Sequence, residues 1–207
     1  MTGKAILGIF AAGLLCFTAC WSSREIRIIN DGEGCMRVME VGNKLDSVIL
    51  RGICGDISQS ALRTRTFDRL CERMLATVQD PRYDGVGIAA PQVGINRRLV
   101  AVMRYDKDGN PFEIYPNIRI IAARGDSIPG PEGCLSVPGL RGTVLRSRDI
   151  DIRYTSLSSL KDTIENVTGF TAVIFQHETD HLYGILYTDK ATDIREAEAT
   201  TEESSLR

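Results

Sequence analysis

The chain has 207 residues, enough for one domain with a sizeable buried core. Hydrophobic residues make up 43% of it and charged residues 25%, as in an ordinary globular protein. Its formal net charge is −2, and no stretch concentrates lysine and arginine. Proteins that bind nucleic acid need such a basic surface, so no nucleic-acid partner is expected.

Residues 1–20 are predicted to be a signal segment rather than part of the fold. Lys4 precedes an apolar stretch, residues 5–17, that is too short for a comfortable bilayer span. The segment ends in Phe-Thr-Ala-Cys, which resembles a bacterial lipoprotein signal except that leucine is usual where this chain has Phe17. The resemblance implies a lipid-bearing Cys20 as the first mature residue. An uncleaved membrane anchor and a wrongly assigned start codon are the alternatives.

The segments that follow carry weaker patterns. Residues 21–40 are interpreted as a linker that includes a short strand over residues 25–29. Residues 45–55 are predicted to be mostly extended, with residues 48–50 buried.

A helix is predicted from residue 58 or 60 to residue 78. Ser58 or Ser60 offers an N-cap, and Asp80-Pro81 ends the helix. Its apolar side chains recur with the helical period of 3.6 residues. They are Phe67, Leu70, Cys71, Met74, Leu75 and Val78.

The second half of the chain is predicted to contain mainly strands. Alternating hydrophobic residues place them at residues 99–103, 112–118, 144–154 and 160–167. Asp-Gly-Asn at residues 108–110 is a turn sequence and indicates a hairpin between the first two. Residues 191–207 are rich in glutamate and are expected to form an acidic, disordered tail.

Both histidines of the chain lie in the sequence Gln-His-Glu-Thr-Asp-His at residues 176–181. In a helix His177 and His181 share one face and continue an apolar stripe that begins at Phe170. Two imidazoles so placed can bind one metal ion, with Glu178 close enough to act on a water molecule beside it. The alternative is a pair of core histidines that donate to carbonyl groups.

A catalytic metal site of this type needs a third protein ligand and an open position. Cys134 is the strongest candidate, because its thiolate would be a soft ligand on a plausible loop. A carboxylate such as Glu196 is the alternative, as in ordinary zinc proteases.

Three segments together resemble the peptide deformylases: Gly-Val-Gly-Ile-Ala-Ala-Pro-Gln at residues 85–92, Glu-Gly-Cys-Leu-Ser at residues 132–136, and residues 176–181. They occur in the order and at the spacing of that family, and the resemblance covers residues 41–190. It implies an α+β catalytic domain in which antiparallel β-sheets pack around the helix with the H-E-x-x-H motif. It also implies an enzyme that removes the formyl group from N-formylmethionyl peptides.

The resemblance further implies the role of each residue. Cys134, His177 and His181 would hold a divalent metal ion, with Fe²⁺ expected and Zn²⁺, Ni²⁺ or Co²⁺ as alternatives. Glu178 would be the general base, and Gln92 with the backbone N–H of Leu135 would stabilise the oxyanion.

Residues at the substrate pocket also follow from the resemblance. Gly87 would allow close approach of the substrate. The methionine side chain would bind among Val86, Phe170, Val173 and Ile174, and Arg141 would hold the peptide backbone. Plain core packing for the apolar residues and a solvated arginine are the alternatives. Asp180 is expected to orient an imidazole or to cap local structure, and the protein is expected to be a monomer.

Two questions stay open from the sequence. Formylated nascent chains are made in the cytoplasm, so an exported lipoprotein with this activity is unusual. Translation from Met36 would leave a cytoplasmic enzyme instead.

Two other functions also use the same motif: an H-E-x-x-H zinc endopeptidase of the cell envelope, and a non-catalytic metal-binding lipoprotein. The third metal ligand separates the endopeptidase from the deformylase.

Overall fold

The computed structural model describes residues 20–83 and 85–197. Of the predicted signal segment only Cys20 falls within these residues, and of the predicted tail only residues 191–197. In these ranges the α-helices are α1 (Ser23–Asn30), α2 (Lys44–Leu50), α3 (Gln59–Leu62), α4 (Arg65–Val78) and α5 (Gly169–His181). The strands are β1 (Gly87–Ala89), β2 (Leu99–Met103), β3 (Phe112–Pro116), β4 (Arg119–Arg124), β5 (Ile128–Cys134), β6 (Val137–Arg146), β7 (Asp149–Thr155), β8 (Asp162–Thr168) and β9 (Thr192–Glu196).

The described strands form three antiparallel sheets, with the orders β1-β2-β3, β4-β7-β8 and β5-β6-β9. Strands β2 and β3 pair from Leu99 with Pro116 to Met103 with Phe112, so the predicted hairpin is confirmed. The predicted strand over residues 144–154 is divided between β6 and β7 at Ser147. Antiparallel sheets packed with helices confirm the predicted α+β class.

Helix α5 is the central element of the fold. It contacts β1 and β2 of one sheet and β4, β7 and β8 of another. Ala172 and Phe175 are fully buried, and the Phe175 ring packs edge-on against Tyr115 with 4.8 Å between ring centroids. Because α5 is packed on several sides, the histidines in its last two turns are held in place.

Helix α4 follows its predicted pattern, but it begins later than expected. Phe67, Leu70, Met74 and Val78 are all buried. The predicted single helix is interrupted after α3, because the Thr64 side chain accepts a hydrogen bond from the Phe67 N–H and caps α4.

The structure differs from the predicted linker and strand in residues 21–40, since residues 23–30 form α1. The Ser22 hydroxyl accepts from the Glu25 N–H at 3.3 Å, and the Glu25 carboxylate accepts from the Ser22 N–H at 2.7 Å. This Ser-x-x-Glu capping box is readable in the sequence and is the signal that the linker interpretation overlooks. Trp21 and Ile29 are buried on either side of it.

Two arginines bind this N-terminal segment to the rest of the fold. Arg97 lies over the Trp21 ring, 5.5 Å from its centroid, and its Nε is 2.5 Å from a Glu25 carboxylate oxygen. Arg73 of α4 is only 6% exposed and donates to backbone carbonyl groups of the segment. These carbonyl groups belong to Ile28, Ile29, Gly34 and Cys35. The segment from Trp21 to Cys35 is therefore part of the packed fold.

Two further predictions need correction. Residues 44–50 form α2 rather than an extended segment, because the Asn43 side chain accepts from the N–H groups of Leu45 and Asp46. Leu50 is buried as predicted, but Val48 is 73% exposed.

Residues 192–196 of the predicted disordered tail form β9, which pairs with the edge of β6. No helix in the described ranges has the length and apolarity needed to cross a membrane.

Candidate active site

A cavity of about 380 Å³ opens between β1, the β5–β6 hairpin and α5. Every residue predicted to act on the substrate, bind it or hold the metal lines this cavity except His181, whose Nε2 lies 3.3 Å from Cys134 Sγ in that lining. The predicted residues in its wall are Val86, Gly87, Gln92, Cys134, Leu135, Arg141, Phe170, Val173, Ile174, His177 and Glu178. The wall also contains Tyr83 and Ala197, for which the sequence carries no signal.

The side chains of Cys134, His177 and His181 converge at the inner end of the cavity. One sulfur and two nitrogen atoms lie within 4.8 Å of one another, and Cys134 Sγ is 3.3 Å from His181 Nε2. The strand register shifts between Glu132 and Cys134, and such a bulge re-aims side chains. A thiolate and two imidazoles are the donor set that zinc and related divalent metals bind, so these residues fit a metal ion. Glu196 lies on exposed β9 and does not belong to this group.

The electrostatics of the cluster favour an ionised thiol. Burial opposes ionisation of Cys134, but the nearby His181 and His177 imidazoles outweigh it and bring the pKa of the thiol well below its ordinary value. Burial likewise opposes the charge on His177, yet hydrogen bonds to Cys134 and Glu132 raise the pKa of that imidazole. Metal ions bind the deprotonated forms of both kinds of ligand, and the lowered pKa of the Cys134 thiol favours its deprotonated form.

Glu132 orients His177, which the sequence interpretation did not foresee. Its Oε2 is 2.8 Å from His177 Nδ1, which leaves Nε2 of the imidazole free to face Cys134. Arg146 donates to both carboxylate oxygens of Glu132, at 2.7 and 3.0 Å. Burial raises the pKa of Glu132, but the His177 and Arg146 hydrogen bonds prevail and lower it to about 2. Asp180, the carboxylate expected to orient an imidazole, instead binds Arg146 and Lys190.

A Glu132→Gln substitution is expected to weaken metal binding about 10- to 100-fold, because an amide neither carries charge nor fixes the imidazole tautomer in the same way. Competition with a chromogenic chelator measures this affinity. Glu165→Gln is the matched control, since Glu165 also binds an arginine, Arg104, but lies outside the cavity wall. Unchanged affinity in Glu132→Gln would show that His177 is oriented without this carboxylate.

Glu178 is 4% exposed, and its Oε2 has no hydrogen-bond partner among the described residues. Burial raises the pKa of this carboxyl to about 7, although the two imidazoles oppose the shift. Gly87 of β1 leaves the space that the carboxylate occupies, because a Cβ at that position would lie 2.6 Å from Glu178 Oε1. A carboxyl group with such a pKa can accept and release a proton near neutral pH.

Gln92 presents an amide N–H to the cluster. Its Oε1 accepts from the Ala89 N–H at 2.8 Å, which fixes the orientation of the amide. Its Nε2 lies 3.2 Å from Ser136 Oγ and 3.5 Å from Cys134 Sγ. A metal-binding cluster, a buried carboxylate and a fixed amide donor in one cavity are suited to metal-assisted hydrolysis of a carbonyl compound.

The outer cavity is apolar on one side and carries a cation at its rim. Val173 and Ile174 are buried in α5, whereas Phe170, predicted on the same buried stripe, is 48% exposed. Its ring instead packs against Tyr105, with 5.4 Å between ring centroids. Arg141 of β6 is exposed and borders the opening.

Comparison with known proteins gives consistent matches. Residues 35–197 match the profile of a family described as polypeptide deformylase. A peptide deformylase of Leptospira biflexa serovar Patoc is 36% identical over 163 residues, which cover 74% of this chain and 86% of that protein. A peptide deformylase of Symbiobacterium thermophilum is 44% identical over 119 residues, covering 58% of this chain and 54% of that protein. The family match begins at Cys35, so α1 lies outside it.

Solved structures show the same likeness. The class I type b peptide deformylase from Acinetobacter baumannii with bound actinonin has a TM-score of 0.67 at 32% identity, covering 77% of this chain and 100% of that chain. Its Met-Ala-Ser-bound form gives 0.66 at 33% identity, covering 75% and 98%. A peptide deformylase from Thermotoga maritima gives 0.66 at 30% identity, covering 77% and 99%.

Proposed function

Because this chain belongs to the polypeptide deformylase family, it removes the formyl group from N-formylmethionyl peptides, and we propose that the cavity between β1, β5–β6 and α5 is where it does so. The observation that carries the proposal is the convergence of Cys134, His177 and His181 beside the buried carboxylate of Glu178. The reaction consumes water and yields formate and a peptide with a free methionyl amine.

Cys134, His177 and His181 would hold one divalent metal ion, for which we propose Fe²⁺, with Zn²⁺, Ni²⁺ or Co²⁺ as alternatives. The lowered pKa of the Cys134 thiol and the Glu132 hydrogen bond to His177 support this assignment. An ion held by these three side chains would supply Lewis-acid chemistry: it would polarise the substrate carbonyl and make a water molecule more acidic.

Glu178 moves the protons of the reaction. It accepts a proton from the attacking water and delivers it to the amine that departs from the formyl group. Its burial and its raised pKa of about 7 suit both transfers. The space left by Gly87 sets the position of the carboxylate.

The amide of Gln92 and the backbone N–H of Leu135 stabilise the negative charge that develops on the formyl oxygen. The fixed orientation of the Gln92 amide supports its part in this role. An amide donor cannot act as a competing base, so Gln92 and Glu178 have separate tasks.

The apolar wall of the cavity receives the methionine side chain. Val86, Val173 and Ile174 form its inner part and Phe170 its edge. Arg141 at the rim would hold the peptide backbone of the substrate. Since one chain supplies the whole cavity, we propose that the enzyme acts as a monomer.

A Cys134→Ala substitution tests this function against the endopeptidase alternative. We expect metal content to fall to background and formate release from formyl-Met-Ala-Ser to fall by about a thousandfold or more, because two imidazoles alone hold the ion weakly. The chain is prepared anaerobically with Fe²⁺, and Cys35→Ala, a partly exposed thiol outside the cavity, is the control. Retained metal with cleavage of casein would indicate an endopeptidase. A wild-type chain with metal and no formate release would indicate a non-catalytic lipoprotein.

We also propose that the enzyme is anchored to a membrane by lipid on Cys20. The sequence of residues 1–20 supports this, and so does the exposed position of Cys20 immediately before the packed segment that begins at Trp21. The cytoplasmic alternative starts at Met36 and lacks that segment. Mass spectrometry of the native N-terminus separates the two: the anchored form gives a lipid-bearing peptide that starts at Cys20.

A further inference from the structure

Strand β9 brings a second arginine beside Arg141 at the opening of the cavity. Arg195 of β9 is paired with Arg141 of β6 in the strand register, and both residues are exposed. Directly opposite residues of an antiparallel pair project from the same face of the sheet, with Cβ atoms about 4.5–5.5 Å apart. Because Arg141 borders the cavity, Arg195 lies on the face of β9 that is turned towards the opening.

The residues around this pair support the same placement of β9. Ala197, two residues after Arg195, lines the cavity, and its N–H donates to the Gly139 carbonyl oxygen at 2.8 Å. Gly142 of β6 leaves the space that the neighbouring chain needs, because a Cβ at that position would lie 2.8 Å from the Ala191 Cβ. The end of the described chain therefore forms one side of the cavity opening.

No described carboxylate neutralises the two guanidinium groups. In the part of the chain that the structure describes, Arg141 and Arg195 form no ion pair, whereas Glu132 of the cavity wall is engaged in two. Glu196 follows Arg195 and projects from the other face of β9. Like charges directly opposite each other destabilise a sheet. A carboxylate placed between the two arginines would relieve that repulsion and accept hydrogen bonds from both.

The two arginines lie at different depths. The Arg141 guanidinium lies over Gly133, where an added Cβ would be 3.4 Å from Arg141 Nη1, and Gly133 directly precedes Cys134. Arg195 is not part of the cavity wall and lies farther out. A peptide whose formyl-methionyl group fills the cavity advances about 3.3 Å with each further residue. Its later residues are therefore the ones that we expect to reach Arg195.

We propose that Arg195, together with Arg141, selects formylated peptides that carry a carboxylate after their second residue. The proposal rests on the function proposed above, because it concerns which peptides the same cavity accepts. The carboxylate can belong to an acidic side chain or to the free C-terminus of a short peptide, and both present two oxygen atoms to a guanidinium group.

Arg195 would act on binding alone. The groups that it contacts do not react, so they are held equally in the bound substrate and in the transition state. Interactions of this kind lower KM and leave kcat unchanged. A split between KM and kcat therefore separates recognition by Arg195 from a structural effect on the catalytic groups.

The test compares formate release from two amidated peptides, formyl-Met-Ala-Glu and formyl-Met-Ala-Gln, by the full chain loaded with Fe²⁺. We expect the wild-type chain to favour the glutamate peptide about fivefold in kcat/KM, at the upper end of what an exposed ion pair contributes, with the difference in KM. The preference is expected to weaken as salt is added, because exposed charges are screened.

Substitutions at Arg195 show whether this residue causes the preference. Arg195→Gln is expected to reduce it to about twofold or less, since one of the two cations is lost. Arg195→Glu is expected to favour formyl-Met-Ala-Lys amide instead. Arg63→Gln removes the same charge from an exposed arginine outside the cavity wall, and this control is expected to keep the wild-type preference. A preference that survives in Arg195→Gln, or that is absent from the wild-type chain, would overturn the proposal.

A second pair of peptides separates the two sources of the carboxylate. Formyl-Met-Ala-Ser with a free C-terminus is compared with its amide, in the wild-type chain and in Arg195→Gln. A preference for the free acid that Arg195→Gln removes would assign the site to a peptide C-terminus. A preference confined to the glutamate side chain would assign it to acidic residues, and either result supports the proposal.

Glutamates of the chain itself are the competing occupant of the arginine pair. Glu198, Glu202 and Glu203 follow β9 in the sequence. A full-length variant with glutamine at these three positions is measured with the same peptides, and we expect it to keep the wild-type preference. If the wild-type chain showed no preference and this variant acquired one, the chain's own glutamates would occupy the pair, and the proposal would be wrong.

Failure of the catalytic function can be distinguished from failure of the arginine site. Titration calorimetry with the amidated peptides Met-Ala-Glu and Met-Ala-Gln, which carry no formyl group, measures binding without turnover. Absence of formate release from every peptide would contradict the proposed function. Tighter binding of the glutamate peptide that Arg195→Gln removes would still support the arginine site, whereas equal binding of both peptides would contradict it.

Discussion

Formate release is expected to fall by about a thousandfold in a Glu178→Gln variant, within the range that a general base contributes. Glutamine has the size of glutamate, so it occupies the space beside Gly87 without displacing β1. It cannot accept a proton from water, and it has none to give to the departing amine. The three metal-binding side chains are unchanged, so metal content is expected to match that of the wild-type chain.

The measurement is the rate of formate release together with metal content on the same sample. Glu72→Gln is the matched control, because Glu72 is an exposed glutamate on α4 that lies outside the cavity wall. If Glu178→Gln kept more than about a tenth of the wild-type rate with full metal content, another group would have to be the base. Loss of metal in this variant would make the rate uninformative about proton transfer and would instead assign Glu178 a part in holding the ion.

A chain that starts at Met36 is expected to be far less stable than one that starts at Cys20. Truncation exposes core that Trp21 and Ile29 now cover, and burial of each such side chain contributes about 1.5–3 kcal/mol. It also removes the carbonyl groups that pair with the buried guanidinium of Arg73. Because the same segment also covers that guanidinium, truncation returns it to water, so the loss comes mainly from apolar burial and amounts to several kcal/mol out of the roughly 5–15 kcal/mol typical of a domain.

Thermal unfolding followed by circular dichroism checks this expectation. We expect Tm to be lower by about 10 °C or more in the chain that starts at Met36, and nearly equal in the full chain and the chain that starts at Cys20. Equal Tm values for all three would show that α1 is dispensable, and would favour the cytoplasmic form that starts at Met36.

Local patterns in the sequence were sufficient for the helix of the catalytic motif and for several strands. In a helix His177 and His181 lie on the same face, with Glu178 directly after the first, because residues four apart share a face whatever surrounds them. The 3.6-residue period of apolar side chains in α4 and the turn sequence between β2 and β3 are equally local signals. Residues 23–30 and 44–50 were misassigned although Ser22, Glu25 and Asn43 carry capping signals, because their short apolar patterns fit strands as well as helices.

Contacts between residues far apart in the chain were decided only by the tertiary structure. Glu132 and His177 are 45 positions apart, and their hydrogen bond depends on how β5 packs beside α5. The exposure of Phe170 and of Val48 depends likewise on which faces other elements cover.

The sequence by itself placed His177 and His181 on one helix face through their local spacing, and its resemblance to a family implied the reaction and Cys134 as the third metal ligand. The tertiary structure decided that Glu132 rather than Asp180 orients His177 and that the segment from Trp21 to Cys35 belongs to the fold. The physical reason is that side-chain contacts between elements depend on packing, which no local period encodes.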